Sequence, residues 1–502
     1  MSHFNPDPQH AAGAHAAVGH SLANSIPLSI FPIRADTFCF CFCGLPGRGK
    51  THLARRLMKY LSFFHAVPVQ VYNAAEYRRR MCGSLPDAEW FDPLNEEAKA
   101  QRDLCNSTII TDMIGFLNSH ANGIAIVDST NPTHERRERL LRLVQASTGA
   151  KVMFIEVVNE DVSFLDRQYS DAASLSPDYA GVNHDEGMTA YRRKIDDYKS
   201  IYEPLDNGQT HEQEQRWSYL KADHSTQHFV VNNARGYLQQ KVVNFLMNLR
   251  TTSHAFFLSR HGQSEYNNLG RIGGDSGLSF HGVKYAEKLA EFVETKLSKD
   301  ESGREIPTRL WTSSMRRTKE TTQFIKQKKL VISPDALDAS LDYEWIQMRP
   351  RAWHHLDELF AGSCDGMTYA EIEQTFPEEW VLRKDDKLAY RYPRGESYLD
   401  VIARLEPIII EMERHREPLL IVAHQGILRI IYAFYMDKTR AEAPYLSIPL
   451  NVVVELNPGP VLCSERRHKL YSPPLSLLPD GQEEPQGENE KIRAAFHDPP
   501  SH

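Results

Sequence analysis

The stretch Phe38-Cys39-Phe40-Cys41-Phe42-Cys43-Gly44-Leu45-Pro46-Gly47-Arg48-Gly49-Lys50-Thr51, running on into HLARRLMKYL (52–61), decides the fold of the first half of the chain. An apolar strand-like run, a Gly-rich turn ending in Lys-Thr and a helix-like segment make up the P-loop pattern in its required context. Glycines let backbone N–H groups wrap around phosphates, and the start of the following helix adds a favourable dipole. Gly44, Gly47, Arg48, Gly49, Lys50 and Thr51 are therefore the expected nucleotide-binding residues. Lys50 would reach the β- and γ-phosphates, and the Thr51 hydroxyl would ligate Mg²⁺. A merely structural turn is the plain alternative, but Lys-Thr in this setting is specific. Downstream, GIAIVD ends in Asp128, an acidic strand tip suited to assist Thr51 in holding Mg²⁺ beside the nucleotide.

Outward from that motif, strand-like runs (VPVQVYN, GIAIVDST, KVMFIEVVN) alternate with longer helical stretches. Such alternation predicts an α/β fold, a mainly parallel sheet flanked by crossover helices. A helix is expected in QQKVVNFLMNLR (239–250), and a second alternation runs from AFFLSRHG to VVVEL. The expected organisation is a disordered arm (1–35), a P-loop domain (36–250), a second α/β domain (251–456) and a disordered tail (457–502). Ser472 lies in that tail beside basic residues, in RRHKLYSPP, a candidate phosphorylation site.

With 58 Lys+Arg against 66 Asp+Glu, a net charge of -8 argues against broad nucleic-acid binding. No apolar run approaches the ~20 residues that span a bilayer, and seven cysteines in 502 residues suit a reducing compartment. A cytoplasmic protein without membrane or nucleic-acid partners is expected. Cys39, Cys41 and Cys43 would share one strand face; metal binding is conceivable, a buried face of small hydrophobes simpler.

In the second half, Phe256-Phe257-Leu258 leads into Ser259-Arg260-His261-Gly262, and Leu419-Leu420-Ile421-Val422 into Ala423-His424-Gln425. Ligands sit at strand C-terminal ends in open α/β sheets, so the two imidazoles can face one another. A histidine that attacks phosphorus needs positive charge around the phosphoryl oxygens and an acid for the leaving group. Arg260 and Arg317, the latter in WTSSMRRT, supply charge with His424 as a further donor. A lone histidine at a strand end is more often structural, but this pairing is harder to obtain by chance. The residues alone point to a phosphohistidine-forming phosphatase acting on a small phosphoester.

RHGQSEYN, GRIGGDSGLS, WTSSMRRT, MTYAEI and RYPRGESY…RLEP resemble the phosphatase half of the 6-phosphofructo-2-kinase/fructose-2,6-bisphosphatase family. GLPGRGKT, YNAAEYRR, FDPLNEEAKAQRDLC, SPDY and YKSIYEPLD resemble its kinase half, in the family order, over residues 37–456. The resemblance implies that His261 accepts the phosphoryl group and that Arg260, Asn267, Arg317 and His424 hold the 2-phosphate. It implies Glu358 as the acid, with Gly273, Tyr369, Arg383, Lys387, Tyr398, Gln425 and Arg429 around the substrate. Gln263 and Phe360 replace acidic residues, and an insertion lies around 333–354.

In the kinase half Lys50, Thr51, Asp128, Thr130, Arg78, Arg102, Arg136 and Tyr198 match. Ala173 stands where the family has a lysine, Gln168 replaces Asn, Lys194 replaces a sugar-phosphate arginine, and Ala75 replaces Gly. The resemblance implies ATP, Mg²⁺, fructose 6-phosphate and fructose 2,6-bisphosphate as ligands, and a homodimer. Losing a cation that stabilises the transferring group costs ~3 kcal/mol, so weak or absent kinase activity is expected. A fully bifunctional enzyme, a polynucleotide end-healing enzyme and a nucleotide-responsive scaffold are the competing readings.

Overall fold

Strand β1 (Phe38–Cys43) is buried along its whole length, because helices cover both faces of its sheet. Its phenylalanines pack into one core cluster and its cysteines into another on the opposite face. Burial pushes the Cys41 thiol well above its ordinary range, which keeps it neutral among apolar neighbours. The computed structural model describes residues 37–83, 90–206, 208–249, 254–333, 342–459 and 462–473. The expected disordered arm lies outside the described residues.

After β1 come α1 (Lys50–His65), β2 (Val69–Asn73), α2 (Ala74–Cys82), α3 (Glu96–Ser119), β3 (Ile124–Asp128), α4 (His134–Thr148) and β4 (Lys151–Val158). They are followed by α5 (Val162–Leu175), α6 (His184–Ile201), β5 (Ser218–Asp223), β6 (His228–Asn232) and α7 (Tyr237–Asn248). The sheet order is β2-β3-β1-β4-β5-β6, parallel except for β6. Phe42 of β1 registers with Asp128 of β3, so the Gly-rich turn and the acidic strand tip leave the same end of the sheet side by side.

The second domain begins with β7 (Phe256–Arg260), α8 (Glu265–Asn268), α9 (Phe280–Phe292), β8 (Arg309–Thr312), α10 (Arg316–Thr322), β9 (Lys328–Ile332), β10 (Tyr343–Gln347) and β11 (Pro350–Ala352). It continues with α11 (Tyr369–Thr375), α12 (Pro377–Asp385), α13 (Tyr398–Arg414), β12 (Leu419–Ala423), α14 (Gln425–Tyr435), β13 (Val452–Pro458) and β14 (Cys463–Lys469). Its sheet order is β11-β8-β12-β7-β13-β14, with β13 antiparallel to both neighbours. The described part of the 333–354 insertion pairs β10 with β9 and lays β11 along the main sheet.

Residues 463–469 were expected in a disordered tail, yet β14 pairs along the whole of β13 and closes the sheet. Its CSERRHK sequence carries the charge typical of an exposed edge strand, which hides it from apolar patterning. Ser472 is exposed just beyond it, and the tail after Pro473 lies outside the described residues.

The domains share a packed interface. Phe63 of α1 belongs to the core of the second domain and meets the Phe434 ring edge-on. The Tyr60 hydroxyl and Lys241 both donate to Glu406 of α13, while Arg56 pairs with Glu413.

Candidate active sites

In the second domain Ala423 registers with Arg260, and the His261 N–H donates to the Ala423 carbonyl at 3.0 Å. The two strand-end histidines are thereby neighbours, with ring centroids 5.2 Å apart. His261 Nδ1 sits 2.8 Å from the Gly262 carbonyl. That bond fixes the Nδ1–H tautomer and leaves the Nε2 lone pair available. Burial, then the charges of Arg317 and Arg260, hold the His261 pKa well below its ordinary value, so the ring is neutral. His424 is also held well below its ordinary value, by burial first and then by Arg317, His261 and Arg260. Its Nε2 bonds Ser313 Oγ at 2.8 Å, and its buried Nδ1 has no hydrogen-bond partner among the described residues.

A cleft opens over His261, lined by Arg260, Arg317, Asn267, Gly273 and Glu358, and also by Tyr369, Arg383, Lys387, Tyr398, Gln425 and Arg429. Every expected phosphatase-site residue is thus brought together, with His424 buried directly behind the lining. Phenols and carbonyls orient the cations. Arg383 donates to the Tyr392 hydroxyl at 2.8 Å and the Tyr369 hydroxyl at 3.1 Å. Arg429 donates to the Leu446 carbonyl at 2.6 Å, and Lys387 to the Pro444 carbonyl at 3.0 Å. One group of cations therefore surrounds His261, and a second comes from α12, the segment after it and α14. Asn267 closes a capping box with Ser264 in α8. Gly273 has φ 67°, and a Cβ there would sit 1.7 Å from Asp365 Oδ1, so only glycine fits.

In the first domain Gly47 and Gly49 take φ 76° and 93°, the left-handed region that lets the turn curl. No side chain caps the first turn of α1, leaving its N–H groups for a ligand. The Thr51 hydroxyl bonds Asp128, and burial raises the Asp128 pKa against the pull of Thr51 and Lys50. Burial lowers Lys50 to about 8, and its Nζ donates to the Leu45 carbonyl at 2.7 Å. These residues fit Mg-nucleotide: an oxygen pair for the metal, one cation and free backbone donors. Arg78, Arg102, Arg136, Thr130, Lys194 and Tyr198 line the same cavity. Arg78 pairs with Asp178, and burial lowers Lys194 to about 7.

Two expected residues lie elsewhere. Arg48 is turned away and only 2% exposed, bound to Glu160, the Tyr169 hydroxyl and the Pro46 carbonyl, so it braces the loop from behind. Gly44 stands outside the cavity lining, where a Cβ would be 2.5 Å from the Val157 carbonyl oxygen. Sequence reading missed Asp178, which anchors Arg78, although the SPDY motif contains it. It also missed Ser313, which bonds His424 across the fold.

A family model described as 6-phosphofructo-2-kinase matches residues 30–253, and one for the histidine phosphatase superfamily (branch 1) matches residues 256–461. A 6-phosphofructo-2-kinase/fructose-2,6-bisphosphatase of Gallus gallus is 37% identical over 443 residues, 86% of this chain and 87% of that one. The chain belongs to the 6-phosphofructo-2-kinase/fructose-2,6-bisphosphatase family. A Homo sapiens member, 6-phosphofructo-2-kinase/fructose-2,6-bisphosphatase 3, is 37% identical over 83% of this chain and 73% of its own. A Saccharomyces cerevisiae relative named for one activity, fructose-2,6-bisphosphatase, is 36% identical over 84% of this chain and 86% of its own.

The second domain is a histidine phosphatase domain, and the chain is a phosphatase of this family. The first carries the family's ATP-using kinase fold, but its α5 wall is uncharged. The lining residues from α5 and the residue capping it are Gln168, Ala172 and Ser176. Ala173 is buried against Gly187 of α6. Arg167, a cation that could have substituted, is exposed and bonds the Ser163 carbonyl. Among the described residues no helix is long and apolar enough to cross a membrane.

Proposed function

We propose that this protein hydrolyses fructose 2,6-bisphosphate to fructose 6-phosphate and phosphate, and that its kinase-like domain binds Mg-ATP but transfers phosphate weakly or not at all. The carrying observation is a neutral, buried His261 in a cleft with two groups of cations, a fit for a ligand with two phosphates. His261 Nε2 attacks the 2-phosphorus while the P–O bond to the sugar breaks and Glu358 gives its proton to the departing oxygen. Arg260, Arg317 and His424 stabilise the charge that builds on the phosphoryl oxygens. Water then attacks the phosphohistidine, Glu358 takes the proton, and the N–P bonding pair returns to His261. Asn267, Gly273, Tyr369, Arg383, Lys387, Tyr398, Gln425 and Arg429 hold the sugar and its second phosphate.

In the first domain Thr51 and Asp128 would hold Mg²⁺ with the nucleotide, where the ion neutralises phosphate charge. Arg78, Arg102, Arg136 and Tyr198 would bind the sugar phosphate. The uncharged α5 wall and a Lys194 whose positive charge burial disfavours support weak transfer. The second reading, a fully bifunctional enzyme, draws on relatives named for both activities.

Assaying synthesis and hydrolysis of fructose 2,6-bisphosphate on one purified sample separates the two. Hydrolysis with a trapped ³²P-enzyme that disappears in His261→Ala is expected, with synthesis far below the ~1–100 per second of kinases. Synthesis within that range overturns the impaired-kinase reading. A labelled, active His261→Ala variant overturns the nucleophile.

A further inference from the structure

Glu358 sits in an irregular segment between β11 and α11, and among the described residues its carboxylate accepts one hydrogen bond, at 3.0 Å from the neighbouring Leu359 N–H. An acid held so lightly must owe its position to its backbone. Arg404, on the second turn of α13, reaches that backbone from outside the cleft. Its Nη2 donates to the Asp357 carbonyl at 2.7 Å and to the Glu358 carbonyl at 3.3 Å, and its Nη1 donates to the His355 carbonyl. The guanidinium is itself locked by Glu396, with Nε to Oε1 at 2.8 Å and Nη2 to Oε2 at 3.1 Å. Glu396 also grips the chain beyond the acid. Its Oε2 accepts the Phe360 N–H at 3.0 Å, and its own N–H donates to the Phe360 carbonyl at 2.9 Å.

We infer that the Arg404–Glu396 pair is the positioning device for Glu358 in the phosphatase reaction, fixing the backbone on both sides of the general acid. The inference rests on the proposed role of Glu358. Arginine is required because one planar fork serves three carbonyls and a carboxylate at once; lysine keeps the charge but has a single nitrogen. Neither Arg404 nor Glu396 lines the cleft, and both reach Glu358 through the backbone at and beside it. An error of about 1 Å in a catalytic group can cost about 10²-fold in rate.

Leaving-group chemistry separates positioning from general damage. A sugar alkoxide needs its proton as the P–O bond breaks, whereas p-nitrophenolate departs without one. Arg404→Lys is expected to lower kcat on fructose 2,6-bisphosphate by about 10²-fold with KM little changed. Its ³²P labelling from p-nitrophenyl phosphate should stay within about threefold of wild type, on the view that unassisted departure is insensitive to the acid. Glu396→Gln, which leaves Arg404 in place, should show the same selective loss in smaller degree and provides the test if Arg404→Lys folds poorly. Equal losses on both substrates, or none on either, overturn the positioning role. Glu358→Gln is the control. If it too lacks the selective loss, the acid assignment falls; if it has the loss and the two clamp variants lack it, only the clamp falls.

Discussion

An imidazole attacks phosphorus only as the neutral ring, and an ordinary histidine is mostly protonated below pH 6.5. His261, the proposed nucleophile, escapes that limit because burial and two neighbouring arginines push its pKa well down. Phosphoryl capture, followed by rapid quench, should therefore hold nearly constant from pH 7.5 to 5.5. An unperturbed histidine would slow about tenfold over that range, and such a fall would remove the arginines from their assigned role. The meeting of His261 and His424 was legible in the sequence because RHG and AHQ each follow an apolar strand run, and strand ends converge by topology. The direction of Arg48 was not, since Glu160, which turns it away from the phosphate cradle, lies far along the chain. Arg404 was equally hidden, because its carbonyl partners reveal themselves only once the loop is folded.

Helix starts decide how the cleft is built. α13 opens with a capping box from Ser397 to Asp400, which seats Tyr398 in the lining. α14 opens at His424 without a side-chain cap and turns its first residues, Gln425 and Gly426, to the cleft. A Cβ on Gly426 would lie 2.8 Å from Glu358 Oε1. Gly426→Ala should therefore separate stability from activity. Alanine favours a helix by about 0.8–1 kcal/mol over glycine, so the melting temperature should hold or rise. Displacing Glu358, the proposed acid, should lower kcat on the sugar substrate by about tenfold or more. A variant with full activity would mean that Glu358 acts from another position. The apolar runs made the central strands readable from sequence, whereas β14 went unread because edge strands are protected by charge rather than marked by alternation.

Helix α1 touches both chemistries. Its first residues, Lys50 and Thr51, belong to the phosphate cradle, and its later turns carry Arg56, Tyr60 and Phe63 into α13 and α14. Those two helices in turn begin at Tyr398 and Gln425 in the phosphatase cleft. The contact is buried and ionic: Glu406 is 8% exposed and accepts from both Tyr60 and Lys241. Breaking a buried charged contact by removing one partner costs ~3–5 kcal/mol, so the domains should unfold as one unit. A ligand at a hundred times its Kd adds ~2.7 kcal/mol to whatever unit it binds. Mg-ATP should then raise the temperature at which phosphatase activity is lost, although its proposed site is in the other domain. In Glu406→Ala that protection should shrink, because the shared core would lose its hydrogen-bonded centre. Heat inactivation of the wild-type phosphatase that ignores saturating Mg-ATP, while a nucleotide analogue demonstrably binds, would mean that α1 carries no stability between the two sheets.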